Sequence, residues 1–114
     1  MISFEKINPK VYEAYNNGLR ISCCFKPQTS QIDRIVDIID NFKKYESEAT
    51  SKIYTSCYKE DLEEDNGLGK VSLHIGDEEI KSFYLWFELN SNDSRYVGVL
   101  YKNQKFESIY YDKK

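Results

Sequence analysis

The chain has little of what most enzymes and most secreted domains depend on. Its 114 residues include one histidine, one tryptophan, two prolines and three cysteines. Two of the cysteines, Cys23 and Cys24, are neighbours. Adjacent residues on a strand point to opposite faces and an odd total leaves one thiol over, so the cysteines make a poor disulfide framework and a reducing compartment is expected. No run approaches the roughly 20 apolar residues of a membrane span. The amino terminus, Met1-Ile2-Ser3-Phe4-Glu5-Lys6, lacks the apolar core of a secretory signal, which points to the cytoplasm. Positive charge is not in excess either. Sixteen Lys and Arg stand against 19 Asp and Glu, a formal net charge of −3, so net charge suggests neither nucleic acid nor an anionic membrane as partner.

Catalytic and metal-binding patterns are equally sparse. His74 sits inside an alternating strand between Leu73 and Ile75. Pairing it with Cys23 or Cys57 would give a thiol–imidazole dyad, but a cysteine on the apolar face of a strand is more often a small buried hydrophobe. In the acidic run, Asp61, Glu63 and Asp65 match the first three ligand positions of a calcium loop. The match stops there, because Asn66 stands where glycine is required and Ser72 where the closing glutamate belongs. Gly67-Leu68-Gly69 precedes a strand instead of following one, unlike a phosphate-binding loop. No catalytic residue, metal site or cofactor is assigned.

What the chain does have is patterning. Val71, Leu73 and Ile75 alternate with polar residues, Gly76-Asp77 supplies a turn, and Ile80 to Leu89 follows as the longest aromatic run. Phe83, Leu85, Phe87 and Leu89 occupy one face of that run, and Ser82, Tyr84, Trp86 and Glu88 the other. After an Asn90–Ser94 loop come strands at Tyr96–Tyr101 and Phe106–Tyr111, joined by a short hairpin over Lys102–Lys105. Earlier in the chain, Asn8-Pro9 followed by Val11, Tyr12, Ala14, Tyr15 and Gly18 predicts a short capped helix. Leu19, Ile21, Cys23 and Phe25 predict a strand stopped by Pro27.

Ser30 to Lys44 carries Ile32, Ile35, Val36, Ile39 and Phe42 on one helical face, with Ser30 as cap, Asp33 in the first turn and Lys43-Lys44 in the last. This helix would cover the Phe83/Leu85/Phe87/Leu89 face. Tyr45–Ser51 reads as loop and Lys52–Tyr58 as a further strand. The expected fold is α+β, one domain over residues 1–114. It has an antiparallel sheet of about five or six strands, one main amphipathic helix packed on one face and a short amino-terminal helix.

Two features point to binding. Between Glu46 and Gly69, seven acids face only Lys52 and Lys59, and five of them (Glu60, Asp61, Glu63, Glu64 and Asp65) crowd one segment read as loop. Asp33, Asp37 and Asp40 form a second acidic stripe at i, i+4, i+7 spacing. Together they would offer a carboxylate surface to a basic protein, against the plainer reading of solvated charge. The second feature is ten tyrosines. Tyr58, Tyr84, Tyr96, Tyr101, Tyr110 and Tyr111 fall on expected strands with no second helix to cover them, and tyrosine with tryptophan is the composition of binding hot spots, singling out Tyr84 and Trp86.

In size, acidity and richness in Asn, Lys, Ile and Tyr, without catalytic residues, the chain resembles bacterial toxin-neutralising immunity proteins, including those of contact-dependent growth inhibition. The resemblance carries no motif and transfers no functional residue. It implies a protein that occludes the active site of a basic, nuclease-type toxin. A phage-encoded nucleic-acid mimic of the anti-CRISPR type would use the same features, and a small enzyme or ligand-binding module is the alternative from another class.

Overall fold

The computed structural model describes residues 2–64, 66–90 and 92–112. Its elements run β1 (Glu5–Asn8), β2 (Val11–Asn16), β3 (Leu19–Cys23), α1 (Thr29–Asp40), α2 (Phe42–Tyr54), α3 (Lys59–Glu64), β4 (Leu68–Ile75), β5 (Ser82–Leu89), β6 (Asn92–Lys102) and β7 (Lys105–Asp112). The class is α+β, as the patterning predicts, but the sheet has seven strands, not five or six. Strands lie in sequence order, all neighbours antiparallel except β3 and β4. A parallel pair needs a crossover. The three helices supply it and lie on one face of the sheet.

The extra strands come from a hairpin where a helix is expected. Val11, Tyr12, Ala14 and Tyr15 fit either period. The local turn decides: Asn17 and Gly18 both take positive φ, 51° and 83°, the two-residue geometry whose twist matches paired strands. Asn8 does not cap a helix. Its Oδ1 accepts from the Lys10 N–H at 2.9 Å across a tight turn, and β1 pairs with β2 through Lys6 and Tyr12.

The long helix is broken. Asn41 sits at φ −103°, ψ 11° and donates through Nδ2 to the Asp37 carbonyl at 2.8 Å, which ends α1 and starts α2. Gln28 caps α1 in place of Ser30, its backbone N–H received by the Gln31 side chain at 2.7 Å. Asp33 therefore falls beyond the first turn, and Lys43-Lys44 open α2 rather than close α1. Residues 45–54 are helix, not loop and strand. Phe42, Tyr45, Ala49 and Ile53 recur at helical spacing and are all buried, so packing overrides the strand propensity of Thr, Ile and Tyr.

The covered face of the sheet is layered in transverse rows. Ala14, Ile21, Leu73, Leu85, Val99 and Ile109 follow one another across six strands. Ile35, Ile38, Ala49, Ile53 and Leu62 from the helices complete the cluster. Tyr101 is fully buried beneath α2, its ring stacked on Phe83 at 5.1 Å and its hydroxyl donating to the Tyr45 carbonyl at 3.1 Å. Burial, then contact with Glu48, pushes its pKa up. Tyr101→Phe removes this donor while keeping the ring, and should cost about 1 kcal/mol in a urea melt. An unchanged midpoint would show that the helical carbonyl needs no second donor.

Candidate functional site

The other sheet face has no covering layer among the described residues, and its rows can be read strand by strand. One row runs Tyr15, Arg20, Ser72, Trp86, Gly98, Tyr110. Beside it lie Glu13, Ser22, His74, Tyr84, Leu100 and Ser108. Tyr96 follows opposite Glu88. Strand alternation accounts for the placement: each of these residues neighbours core residues that point to the helices.

The aromatic side chains form a connected group. Tyr84 and Trp86 stack at 5.6 Å and 18°. Tyr84 on β5 reaches Tyr110 on β7, centroids 6.2 Å apart, across the intervening β6. Gly98 on β6 makes room. A Cβ built there would lie 2.7 Å from Trp86 Cε3, closer than real Cβ contacts occur. Tyr110 is 46 % exposed and Tyr15 63 %, whereas Leu100 beneath the rings is nearly buried.

On the β3–β4 side of this ridge the face dips into an open depression of about 550 Å³. Its floor carries Ser22, Ser72 and His74, and Arg20 stands at its edge. Ser22 Oγ and His74 Nδ1 are 2.9 Å apart. Arg20 Nη1 donates to Glu13 Oε1 at 3.3 Å, an ion pair half open to water. Burial, and secondarily the Arg20 charge, pull the His74 pKa below its ordinary value of 6.5, so the imidazole is neutral at pH 7.

That shift makes a stability prediction. The folded state binds protons less readily than the unfolded chain, so the His74 contribution is intact above pH 6.5 and is lost as pH falls below it. Urea midpoints of the protein and of His74→Gln, compared at pH 7.5 and pH 5.5, should show the larger acid loss in the parent. Equal losses would contradict the shift.

The thiols lie elsewhere. Cys23 is buried on the covered face, its Sγ–H donating to the Phe25 carbonyl at 3.1 Å, and burial pushes it up to about 11. It is the core residue that its strand position predicts. Cys57 follows α2 and is exposed, so neither thiol joins His74 in the depression. Among the described residues, no three metal-ligating side chains converge.

The acidic residues occupy the helical layer. Asp33, Asp37 and Asp40 are exposed on α1, and Glu60, Glu63 and Glu64 on α3. The segment from Lys59 to Glu64 is a helix, not a loop; fully buried Leu62 anchors it, and the Gly67 N–H closes its end on the Leu62 carbonyl at 2.7 Å. Asp65 and the side chain of Asp61 lie outside the described residues. Between the two acidic groups lies α2, which bears Lys43, Lys44 and Lys52 as well as Glu46 and Glu48 and touches both α1 and α3. Among the described residues the ion pairs are Arg20–Glu13 and Lys81–Glu79, and neither uses these six carboxylates.

The eight candidate residues whose side chains are described therefore divide between two opposite surfaces, with Tyr84 and Trp86 on the sheet and the six acids on the helices. Three of the expected tyrosines are not on the uncovered face. Tyr101 and Tyr111 turn toward the helices, and Tyr58 stacks on Tyr111 at 5.0 Å ahead of α3. Sequence reading missed Tyr15, Arg20, Ser22, Ser72 and Gly98, whose relevance comes from cross-strand register; the Asn17-Gly18 turn was the available signal for the first two. No helix among the described residues is long and apolar enough to cross a membrane. No family model matches the chain, and neither a curated protein nor a solved structure is found similar to it.

Proposed function

We propose that this protein is a small acidic neutralising protein of the immunity type, which docks on a cognate toxin through the uncovered sheet face. The observation that carries the reading is the composition of that face. Tyr15, Tyr84, Trp86, Tyr96 and Tyr110 share it with Arg20, whose charge is already paired with Glu13. Tyr, Trp and Arg are the residues that dominate interface energetics, while charged residues are depleted from interface centres. A rigid sheet also holds its side chains in place before binding, which reduces the ordering cost.

A second docking mode is favoured by the six carboxylates of α1 and α3 that lack counter-ions among the described residues. These could face a basic nuclease cleft, where complementary charge speeds encounter and excludes wrong partners. The two modes use opposite sides of the molecule. The test is relief of growth arrest by co-expression with the product of an adjacent gene that arrests growth when expressed alone. Under the sheet-face reading Trp86→Ala abolishes relief while Glu63→Lys/Glu64→Lys retains it, and the opposite pattern would assign the helices. Failure of the unaltered protein to relieve arrest would overturn the neutralising role.

A further inference from the structure

We infer that the depression beside the aromatic ridge binds a nucleoside monophosphate, its planar base against Trp86 and Tyr84 and its phosphate at Arg20. Protein docking does not require this ligand, so the two readings stand or fall separately.

Charge is the first argument. The chain is net acidic, yet among the described residues no carboxylate lines this depression. It presents donors. Arg20 commits Nη1 alone to Glu13, leaving its other N–H groups uncommitted among the described residues. The Ser72 hydroxyl has no hydrogen-bond partner among them either. Ser22 Oγ lies 2.9 Å from His74 Nδ1, and in the neutral tautomer protonated at Nε2, to whose Nδ1 Ser22 donates, His74 offers an N–H to the depression. A planar guanidinium with hydroxyl and imidazole donors matches the oxygens of a phosphate.

Geometry is the second. Arg20, Ser72 and Trp86 are consecutive members of one transverse row. Two strand spacings, roughly 10 Å, separate the guanidinium-bearing strand from the indole-bearing one, room for a sugar between a stacked base and its phosphate. The Ser72 position between them has only a small side chain. A volume of about 550 Å³ lies within the range of small-ligand sites. Bases stack on aromatic side chains whatever their identity, so the site selects a nucleotide and not one particular base.

Trp86 is the only tryptophan and reports directly on its own site. The experiment titrates the whole protein with adenosine and uridine monophosphates at low salt, following indole fluorescence, with adenosine, uridine and inorganic phosphate as separate arms. Saturable quenching by both monophosphates is expected, with about tenfold or greater weakening when the phosphate is absent or Arg20→Gln is used. Calorimetry on Trp86→Leu and Tyr84→Leu, each shown folded by its urea midpoint, should register the same loss. No saturable response to millimolar nucleotide would overturn the inference. So would inorganic phosphate binding as tightly as the nucleotide, because the ring would then contribute nothing. A 5′-phosphorylated tetranucleotide binding more than about tenfold tighter would reassign the site to single-stranded nucleic acid.

Discussion

Ile35→Ala should lower the unfolding free energy by about 2–5 kcal/mol, and Ile39→Ala by no more than about 1.5 kcal/mol. Both residues lie on the apolar stripe of α1, but Ile35 is completely buried while Ile39 only borders the core. Removing a side chain costs its transfer free energy plus the cavity left behind. At Ile35 the cavity would be roofed by α1 and floored by the sheet, with no route for collapse. At Ile39 solvent already reaches part of the side chain, so most of the space refills. Urea denaturation of the two variants measures the difference. Equal losses would mean that α1 is rotated about its axis relative to this description.

The helical stripe was legible, but its depth was not. Ile32, Ile35, Val36 and Ile39 mark the correct side of α1, yet the sheet receives Ile35 and Ile38 most deeply. A heptad-like pattern fixes a face to within one residue's rotation, and packing against the sheet beneath selects the rest. The β5 alternation was fully legible, with Phe83, Leu85, Phe87 and Leu89 buried and the even positions half-buried. The first hairpin is ambiguous in sequence because Asn8-Pro9 and Gly18 are helix boundary signals as well as turn signals. The helix over residues 42–54 was hidden by an Asn41 break that displaced its start.

Trp86→Ala should weaken the cognate complex by about 2–4 kcal/mol, roughly 30-fold to 1,000-fold in dissociation constant. The indole lies at the centre of the uncovered face, held between Tyr84 and the space above Gly98. Truncation there loses apolar area and leaves a hollow in the interface. Gly98→Ala reaches the same result without touching Trp86. Its Cβ displaces the indole, so it should shift Trp86 emission and weaken binding, and overpacking should cost about 1–3 kcal/mol of stability. Emission and affinity both unchanged in folded Gly98→Ala would show that the glycine does not position the ring.

How far the site could be read from sequence follows from the same geometry. Tyr84 and Trp86 were visible because they alternate with core residues on a single strand. Arg20 is not, since it joins Ser72 and Trp86 only through the parallel β3–β4 register, and a crossover of three helices separates those strands in sequence; Ser72 meets Trp86 across the antiparallel β4–β5 pair. The acidic run drew notice by composition. Its separation from the α1 stripe by the intervening α2 is a matter of packing, and no local pattern carries it.

The central claim is that the uncovered sheet face, not the acidic helical layer, contacts the partner. Binding kinetics on the immobilised cognate toxin, at low and moderate salt, compare Trp86→Ala with Glu63→Lys/Glu64→Lys. The account predicts a faster off-rate for Trp86→Ala and an unchanged off-rate, with a modest change in on-rate, for the double reversal. An off-rate unaltered in Trp86→Ala, with a slowed on-rate and reduced salt dependence in the double reversal, would contradict it and place the interface on α1 and α3.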